Sequence, residues 1–465
     1  MVAEIPVYNA STGEVLQHVP EAGGEGVAAA VERARSASRE WRSIGAVARG
    51  QAVADFGRAV ADHAEELAGI DARNAGNPIT GMRRGAQQGA RTLEYFAGLA
   101  LELTGETIPA TPDHLHYTLR EPFGVVGVIT PFNHPTLFAT ARTAAPLVAG
   151  NAVVLKPAHQ TPLSALRLQE LADEHLPPGV FTVVTGGGAT GSALVRHPEV
   201  RRIGFTGGVE TARRIASDAA DSGTIKRISY ELGGKNAMVI LPDVDIDVAA
   251  AAAVEGMNLT RVAGQSCGST SRLFVHSSIC DDLRDRVVKR LEQLRFGPPE
   301  EESTQIGSLV SEQQRERVER YVRAGREEGA QLVLGGERPT EPPFDRGFYF
   351  PPTLFERVRS SMTIAREEIF GPVLCMISWT DEAEMLAAVN DSRYGLTASV
   401  YTNDLRAAHR LAGAIEAGYI WINDVEKRWI GVPFGGQKDS GTGTEYSIEE
   451  LYSFTQNKSI SVSLR

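Results

Sequence analysis

Val125-Val126-Gly127-Val128-Ile129-Thr130-Pro131-Phe132-Asn133-His134-Pro135 reads as a buried strand that stops at a turn and hands the chain to a helix. A short apolar run rich in β-branched residues suits a strand covered on both faces, and the two prolines bar its continuation. Similar runs follow at Ala152 to Leu155, Phe181 to Thr185, Arg201 to Phe205 and Lys226 to Ser229, with helical stretches between them. The alternation predicts an α/β protein built on an open, mostly parallel sheet. In such a sheet a dinucleotide sits at the turns after the strands, near helix N-termini whose free amides favour pyrophosphate.

Outward from this block, the first hundred residues read as helices. Val27, Val31, Ala34 and Trp41 share a face of one, and Val53, Phe56, Val60, Ala64 and Leu67 share a face of another, spanning Val53 to Leu67. Between Thr107 and Pro122 the texture turns to Pro-punctuated, extended chain. His114 and His116, two apart, would share a strand face there; with no third ligand nearby they read as a solvated face, and no metal site is expected. From about Asp243 a second α/β region runs to roughly Gly435. The chain closes on Ser459-Ile460-Ser461-Val462-Ser463-Leu464, an alternation that suits a strand with one apolar face.

At 465 residues, 42% of them hydrophobic, the chain is long for one core, so two or three domains are expected. A net charge of −11 argues against a nucleic-acid footprint, which needs an excess of clustered Lys and Arg. The three cysteines, Cys267, Cys280 and Cys375, are too few for a disulfide framework and lack the paired spacing of a zinc site. A reducing, cytoplasmic setting is expected. Met1 to Pro6 shows no signal-peptide pattern, and no run of apolar residues is long enough to anchor in a membrane.

Three stretches carry chemistry, two of them new. Gly264-Gln265-Ser266-Cys267-Gly268-Ser269 holds a thiol among small residues, where a substrate can approach closely; the plain alternative is an inert, packed cysteine. Tyr230-Glu231-Leu232-Gly233-Gly234-Lys235-Asn236 sets a carboxylate beside a glycine pair, which makes Glu231 a candidate base. Asn133, in the turn quoted first, bears an amide able to donate to an oxyanion.

With Leu155 to Pro162, Phe205-Thr206-Gly207-Gly208, Glu367-Glu368-Ile369-Phe370-Gly371-Pro372 and Pro433-Phe434-Gly435-Gly436, these stretches resemble, in order, those of the aldehyde dehydrogenase superfamily, in its NAD(P)-dependent, hydrolytic branch. The resemblance implies two Rossmann-like domains and a small antiparallel oligomerisation flap. The dinucleotide-binding domain would take residues 1–106 and 123–242, the catalytic domain 243–435, and the flap 107–122 and 436–465, pairing subunits into a homodimer or homotetramer. It implies Cys267, Glu231 and Asn133 as catalytic residues. Cofactor contacts fall to Ile129, Pro131, Phe132, Lys156, His159, Gly207, Gly208, Leu232, Glu368 and Phe370.

Among these, Lys156 would meet the adenosine ribose, Gly207 and Gly208 the pyrophosphate, Glu368 the nicotinamide ribose, and Phe370 would pack beside that ring. Gly186-Gly187-Gly188-Ala189-Thr190-Gly191 opens a helix after a strand but does not spell the Rossmann fingerprint. Two positions depart from the family: Gly208 stands where Ser is common, and His159 where many members have a carboxylate that selects NAD. Lys-Pro-Ala-x-Gln-Thr-Pro instead resembles succinate-semialdehyde dehydrogenases that accept NADP, so NAD or NADP is expected, with NADP accepted.

The implied reaction oxidises an aldehyde to its acid through a thiohemiacetal and a thioester on Cys267. Two rivals stand beside it: a CoA-acylating semialdehyde dehydrogenase, which Glu231 argues against, and a Cys-dependent hydrolase assisted by His. Glu426-Lys427-Arg428-Trp429 lies where relatives line the substrate tunnel. Arg428 is either a clamp for a distant substrate carboxylate or part of a solvated loop.

Overall fold

The computed structural model describes residues 3–465. It opens with an antiparallel hairpin of β1 (Glu4–Tyr8) and β2 (Val15–Pro20), which the helical reading of the first hundred residues missed. Only Val7 and Val19 of the hairpin are buried, so the sequence carries little alternation there. The helix Gly23–Ser43 buries Val27, Val31, Ala34 and Trp41 as expected. The second expected helix is two: Ala46–Asp62 ends at His63 and Ala64–Ala75 starts there, which separates Ala64 and Leu67 from Val53, Phe56 and Val60. A helix-period pattern survives such a break because both helices face one core.

In chain order the remaining strands are β3 (Thr107–Ile108), β4 (His114–Pro122), β5 (Val125–Ile129), β6 (Ala152–Lys156), β7 (Phe181–Val183), β8 (Val200–Thr206), β9 (Arg227–Glu231), β10 (Ala237–Ile240), β11 (Arg272–His276), β12 (Gln331–Leu334), β13 (Thr353–Glu356), β14 (Val373–Trp379), β15 (Tyr394–Gly395), β16 (Thr397–Tyr401), β17 (Tyr419–Ile422), β18 (Gln437–Lys438), β19 (Gly441–Thr442) and β20 (Thr455–Ser463). The first sheet has the order β19-β9-β8-β5-β6-β7, parallel throughout except for β19. Strand order reverses between β5 and β8. That reversal opens a crevice at their carboxyl ends, flanked by Thr130 to Asn133 on one side and Gly207-Gly208 on the other.

The second sheet runs β12-β13-β14-β11-β10-β16-β17, with β12 its only antiparallel member. β10 pairs with β11 and β16, so the change of sheet falls before Ala237 and not at residue 242. A third sheet, β20-β4-β3, pairs Thr455 to Ser463 with Pro122 to His114. The flap sheet is narrower than 436–465, because β18 pairs with β15, β19 with β9, and the helix Ile448–Ser453 buries Leu451 in the core of the first domain. On the flap, the rings of His114 and His116 stack 5.7 Å apart, and His116 Nδ1 lies 2.8 Å from Ser461 Oγ. Leu115, Leu119 and Val462, which alternate with them along the strands, and Leu464 stand exposed. No helix among the described residues is long and apolar enough to cross a membrane.

Candidate active site

The Cys267 turn is held from below by its own backbone. The short helix Leu259–Val262 ends in two left-handed residues, Ala263 and Gly264 (φ +50° and +75°). At Gly264 a Cβ would stand 2.5 Å from the Gly371 carbonyl oxygen, so a side chain there is excluded twice over, by conformation and by space. Asn236 Nδ2 donates to the Cys267 and Ser269 carbonyls (2.7 and 3.0 Å), and Gln265 Oε1 accepts from Val310 N–H at 3.1 Å. The N–H groups of Ser266, Gly268 and Ser269 bond within the turn, which leaves the N–H of Cys267 uncommitted among the described residues.

Cys267 lines two cavities at once. One, of about 640 Å³, runs over the crevice of the first sheet and is bounded by Pro131, Phe132, Gly207, Gly208, Leu232, Glu368 and Phe370, with Asn133 and Glu231 at its inner end. Seven of the expected cofactor residues therefore converge on one wall. Ile129 lies just beneath, buried at the end of β5. Phe132 and Phe370 meet edge to face with centroids 5.5 Å apart. Glu368 accepts from Gly234 N–H at 3.2 Å, and burial raises its carboxyl to about 7. A Cβ on Gly233 would fall 2.0 Å from Glu368 Oε2, so only glycine lets that carboxylate lie there. Gly208 precedes the helix Val209–Ala220 and has nothing within 4 Å of a would-be Cβ.

The second cavity, about 590 Å³, opens on the opposite side of Cys267 between Arg84, Arg91, Arg261, Phe138, Arg428 and Trp429. Arg428 is not part of a solvated loop. Its guanidinium lies 4.4 Å over the Phe434 ring, its Nε and Nη2 are buried without a hydrogen-bond partner, and Glu426 is the nearest carboxylate at 3.9 Å. A Cβ on Gly268 would come within 2.3 Å of Arg428 Nη2, so the glycine after the thiol makes room for the cation. His134 also lines this cavity. Burial, then Arg261 and Arg428, push its imidazole down to about 3.

Asn133 Nδ2 donates one proton to the Gln265 carbonyl at 2.8 Å, and its second proton is uncommitted. Burial pushes the Cys267 thiol up to about 12, against a pull downward from Arg428. Glu231 is buried with its Oε1 unpartnered, and its pKa is raised well above the carboxylate range by burial and then by Glu445. Behind it lies a cluster that sequence reasoning missed: Arg142 paired with Glu445, and Glu450 accepting from Tyr446 N–H at 2.6 Å. Burial raises Glu445 to about 7 and Glu450 to about 8. One signal was available: Arg142 is the only charge in the wholly buried helix Pro135–Val148.

Lys156, the last residue of β6, and His159 just after it stand away from both cavities. Lys156 is buried, bonds its own neighbour's carbonyl (Pro157 O, 2.9 Å) and is lowered to about 8 by burial. His159 is exposed at its surface, yet partial burial and then Lys156 hold its pKa below the ordinary value. The Gly186 to Gly191 stretch does open a helix, Gly188–Arg196.

A doubly wound sheet with a thiol beside its switch-point crevice is an arrangement in which a dinucleotide and a nucleophile can meet. The model of the aldehyde dehydrogenase family matches residues 2–460, and the chain belongs to that family. It is 43% identical over 463 residues to the aldehyde dehydrogenase tropH of Talaromyces stipitatus, covering 98% of this chain and 89% of that one. An NAD+ complex of an aldehyde dehydrogenase from Bacillus cereus superimposes with a TM-score of 0.96 at 36% identity, covering 100% of this chain and 94% of that one. An NAD-dependent aldehyde dehydrogenase from Sinorhizobium meliloti gives 0.95 at 38%, covering 99% and 92%.

Proposed function

We propose that this chain oxidises an aldehyde bearing an anionic group to its carboxylic acid, with NAD as hydride acceptor and NADP admitted beside it. The observation that carries the reading is Cys267 at the junction of two cavities, one suited to a dinucleotide and one to a substrate. A space of 640 Å³ with glycine-lined approaches and an orphaned Glu231 oxygen fits the nicotinamide end of the cofactor. Gly207 and Gly208 would hold its pyrophosphate and Glu368 its ribose, with Phe132, Phe370, Leu232, Pro131 and Ile129 packing around. NAD, when bound, supplies the acceptor for the aldehyde hydride.

The chain's own groups do the rest. Cys267 gives its thiol proton to water, its Sγ bonds the carbonyl carbon, and the oxyanion takes donors from the Asn133 amide and the Cys267 N–H. Once the carbon has lost its hydride a thioester remains, and Glu231 takes a proton from the water that cleaves it. A Cys-dependent hydrolase needs a basic histidine at the thiol, and a His134 held near 3 cannot serve. Passing the acyl group to CoA leaves the buried base without a task. Keeping Cys267 as a thiol suits a reducing, cytoplasmic compartment.

The anionic class of substrate follows from the second cavity. Four arginines line it, and Arg428 holds two buried, unpartnered donors there. The guanidinium, 20% exposed and 3.9 Å from its nearest carboxylate, has charge to spare for a substrate carboxylate. Arg428→Ala is expected to lower kcat/KM for succinate semialdehyde at least tenfold relative to butanal; an unchanged ratio disproves the clamp.

NADP acceptance rests on the missing carboxylate at His159. His159→Glu is expected to move the ratio of kcat/KM values toward NAD by roughly tenfold, about 1.4 kcal/mol. A wild type that refuses NADP by more than roughly 100-fold, about 2.7 kcal/mol, contradicts this. The exposed Leu115, Leu119 and Val462 of the flap sheet, whose outer strands β20 and β3 have open edges, support a homodimer or a tetramer of dimers. Light scattering on the full chain should show no active monomer.

A further inference from the structure

We infer that Glu21, just past the N-terminal hairpin, is a carboxylate that weakens a 2′-phosphorylated dinucleotide without excluding it, partly standing in for the one absent at position 159; this rests on the dinucleotide reading above. In a sheet ordered β7-β6-β5-β8-β9 the adenosine ribose faces the end of the second strand in chain order, where a Rossmann chain carries an acid that accepts from the 2′-hydroxyl. Here that strand, β6, ends on Lys156, and His159 follows. Neither is an acid.

The acid arrives from a different part of the chain. Thr185, just beyond β7, takes the Pro20 carbonyl with its hydroxyl and the Ala22 N–H with its carbonyl (2.9 Å for the latter), which pins Glu21 against the end of the sheet. Glu21 Oε1 then accepts from Gly187 N–H at 3.3 Å, at the start of the helix Gly188–Arg196. On the same helix start, a Cβ at Gly191 would sit 3.7 Å from Lys156 Cδ. Glu21 and Lys156 thus flank one helix terminus, beside Gly188, where a Cβ would meet nothing within 4 Å. Charge agrees with geometry: Glu21 pulls the pKa values of Lys156 and His159 upward, against burial. Glu21 Oε2 makes no hydrogen bond among the described residues, so it is free to accept from a ribose hydroxyl, and it repels a phosphate in the same place.

The rival account is that Glu21 only caps the helix. Glu21→Gln separates the two, because the amide oxygen still accepts from Gly187 N–H while the charge is gone. Dissociation constants for NAD+ and NADP+, measured by titration calorimetry without aldehyde, are expected to shift by roughly tenfold in ratio toward NADP+, about 1.4 kcal/mol. Glu21→Ala, which loses the cap as well, should shift the ratio the same way and serves if the first variant does not fold. Binding of both dinucleotides with a ratio unmoved in the folded variants overturns this inference alone. A wild type that binds neither overturns it together with the dinucleotide reading.

Discussion

Cys267→Ala should yield no reduced cofactor from any aldehyde, whereas Glu231→Gln should release one equivalent in a fast burst and then turn over roughly 100-fold or more slowly. The split follows from what each group touches. Without Cys267 Sγ no tetrahedral centre forms and no hydride can leave. Without the Glu231 carboxylate the thiol still adds and hydride still leaves, but the thioester waits for unassisted water. Glutamine suits the test because it keeps the shape of a side chain that is 6% exposed and walled in by Arg142 and Glu445. Burial and Glu445 raise the Glu231 pKa, so only its ionised fraction acts as a base and steady-state turnover of the wild type should climb with pH; the burst rate climbs as well, because the Cys267 thiol is pushed up to about 12, while the burst amplitude stays at one equivalent. Rapid-mixing absorbance of the reduced nicotinamide checks both. Equal loss of burst and turnover in Glu231→Gln defeats the division of labour.

What the sequence disclosed was local chemistry and strand rhythm. The run Val125 to Ile129 matched its strand residue for residue, because five buried positions between turn signals leave little room for another reading. The pairing of Cys267 with Glu231 and Asn133 was legible as motifs, and the structure brings all three to one cavity. Features made by distant segments were not legible. Arg142, Glu445 and Glu450 meet behind Glu231 only because β19 returns to pair with β9, two strands far apart in sequence. Glu21 reaches Gly187 only because a hairpin with two buried residues docks on the end of β7. Arg428 stayed open between a clamp and a solvated charge because its neighbours are Glu, Lys and Trp; the Phe434 ring that covers it lies beyond the next turn. Periodicity also hid the break at His63, where two helices share one buried face.

Glu450→Gln should stabilise the protein more at pH 8.5 than at pH 5, by a few degrees in Tm relative to the wild type in matched buffers. The sign follows from where the carboxyl titrates in each state. Burial lifts the Glu450 carboxyl to about 8, above the value near 4.5 it regains on unfolding. Between those values the folded state holds a proton that the unfolded state has lost, so the stability this group permits is complete below about pH 4.5 and drains away as pH rises through about 8. Each tenfold change in proton affinity is worth about 1.4 kcal/mol, which makes several kcal/mol an upper limit before water and side chains relax. Glutamine removes the titration and keeps an oxygen for Tyr446 N–H, so the neutral state is closely mimicked and only the cost of ionisation is deleted. Arg142 remains paired with Glu445 in the variant, which keeps a second buried charge from being stranded. A difference in Tm that is flat or falls from pH 5 to 8.5 means that Arg142 holds Glu450 ionised at neutrality. In that event two carboxylates and not one neutralise Arg142, and the electrostatic setting of Glu231 is more negative than burial alone implies, with its pKa pushed higher still.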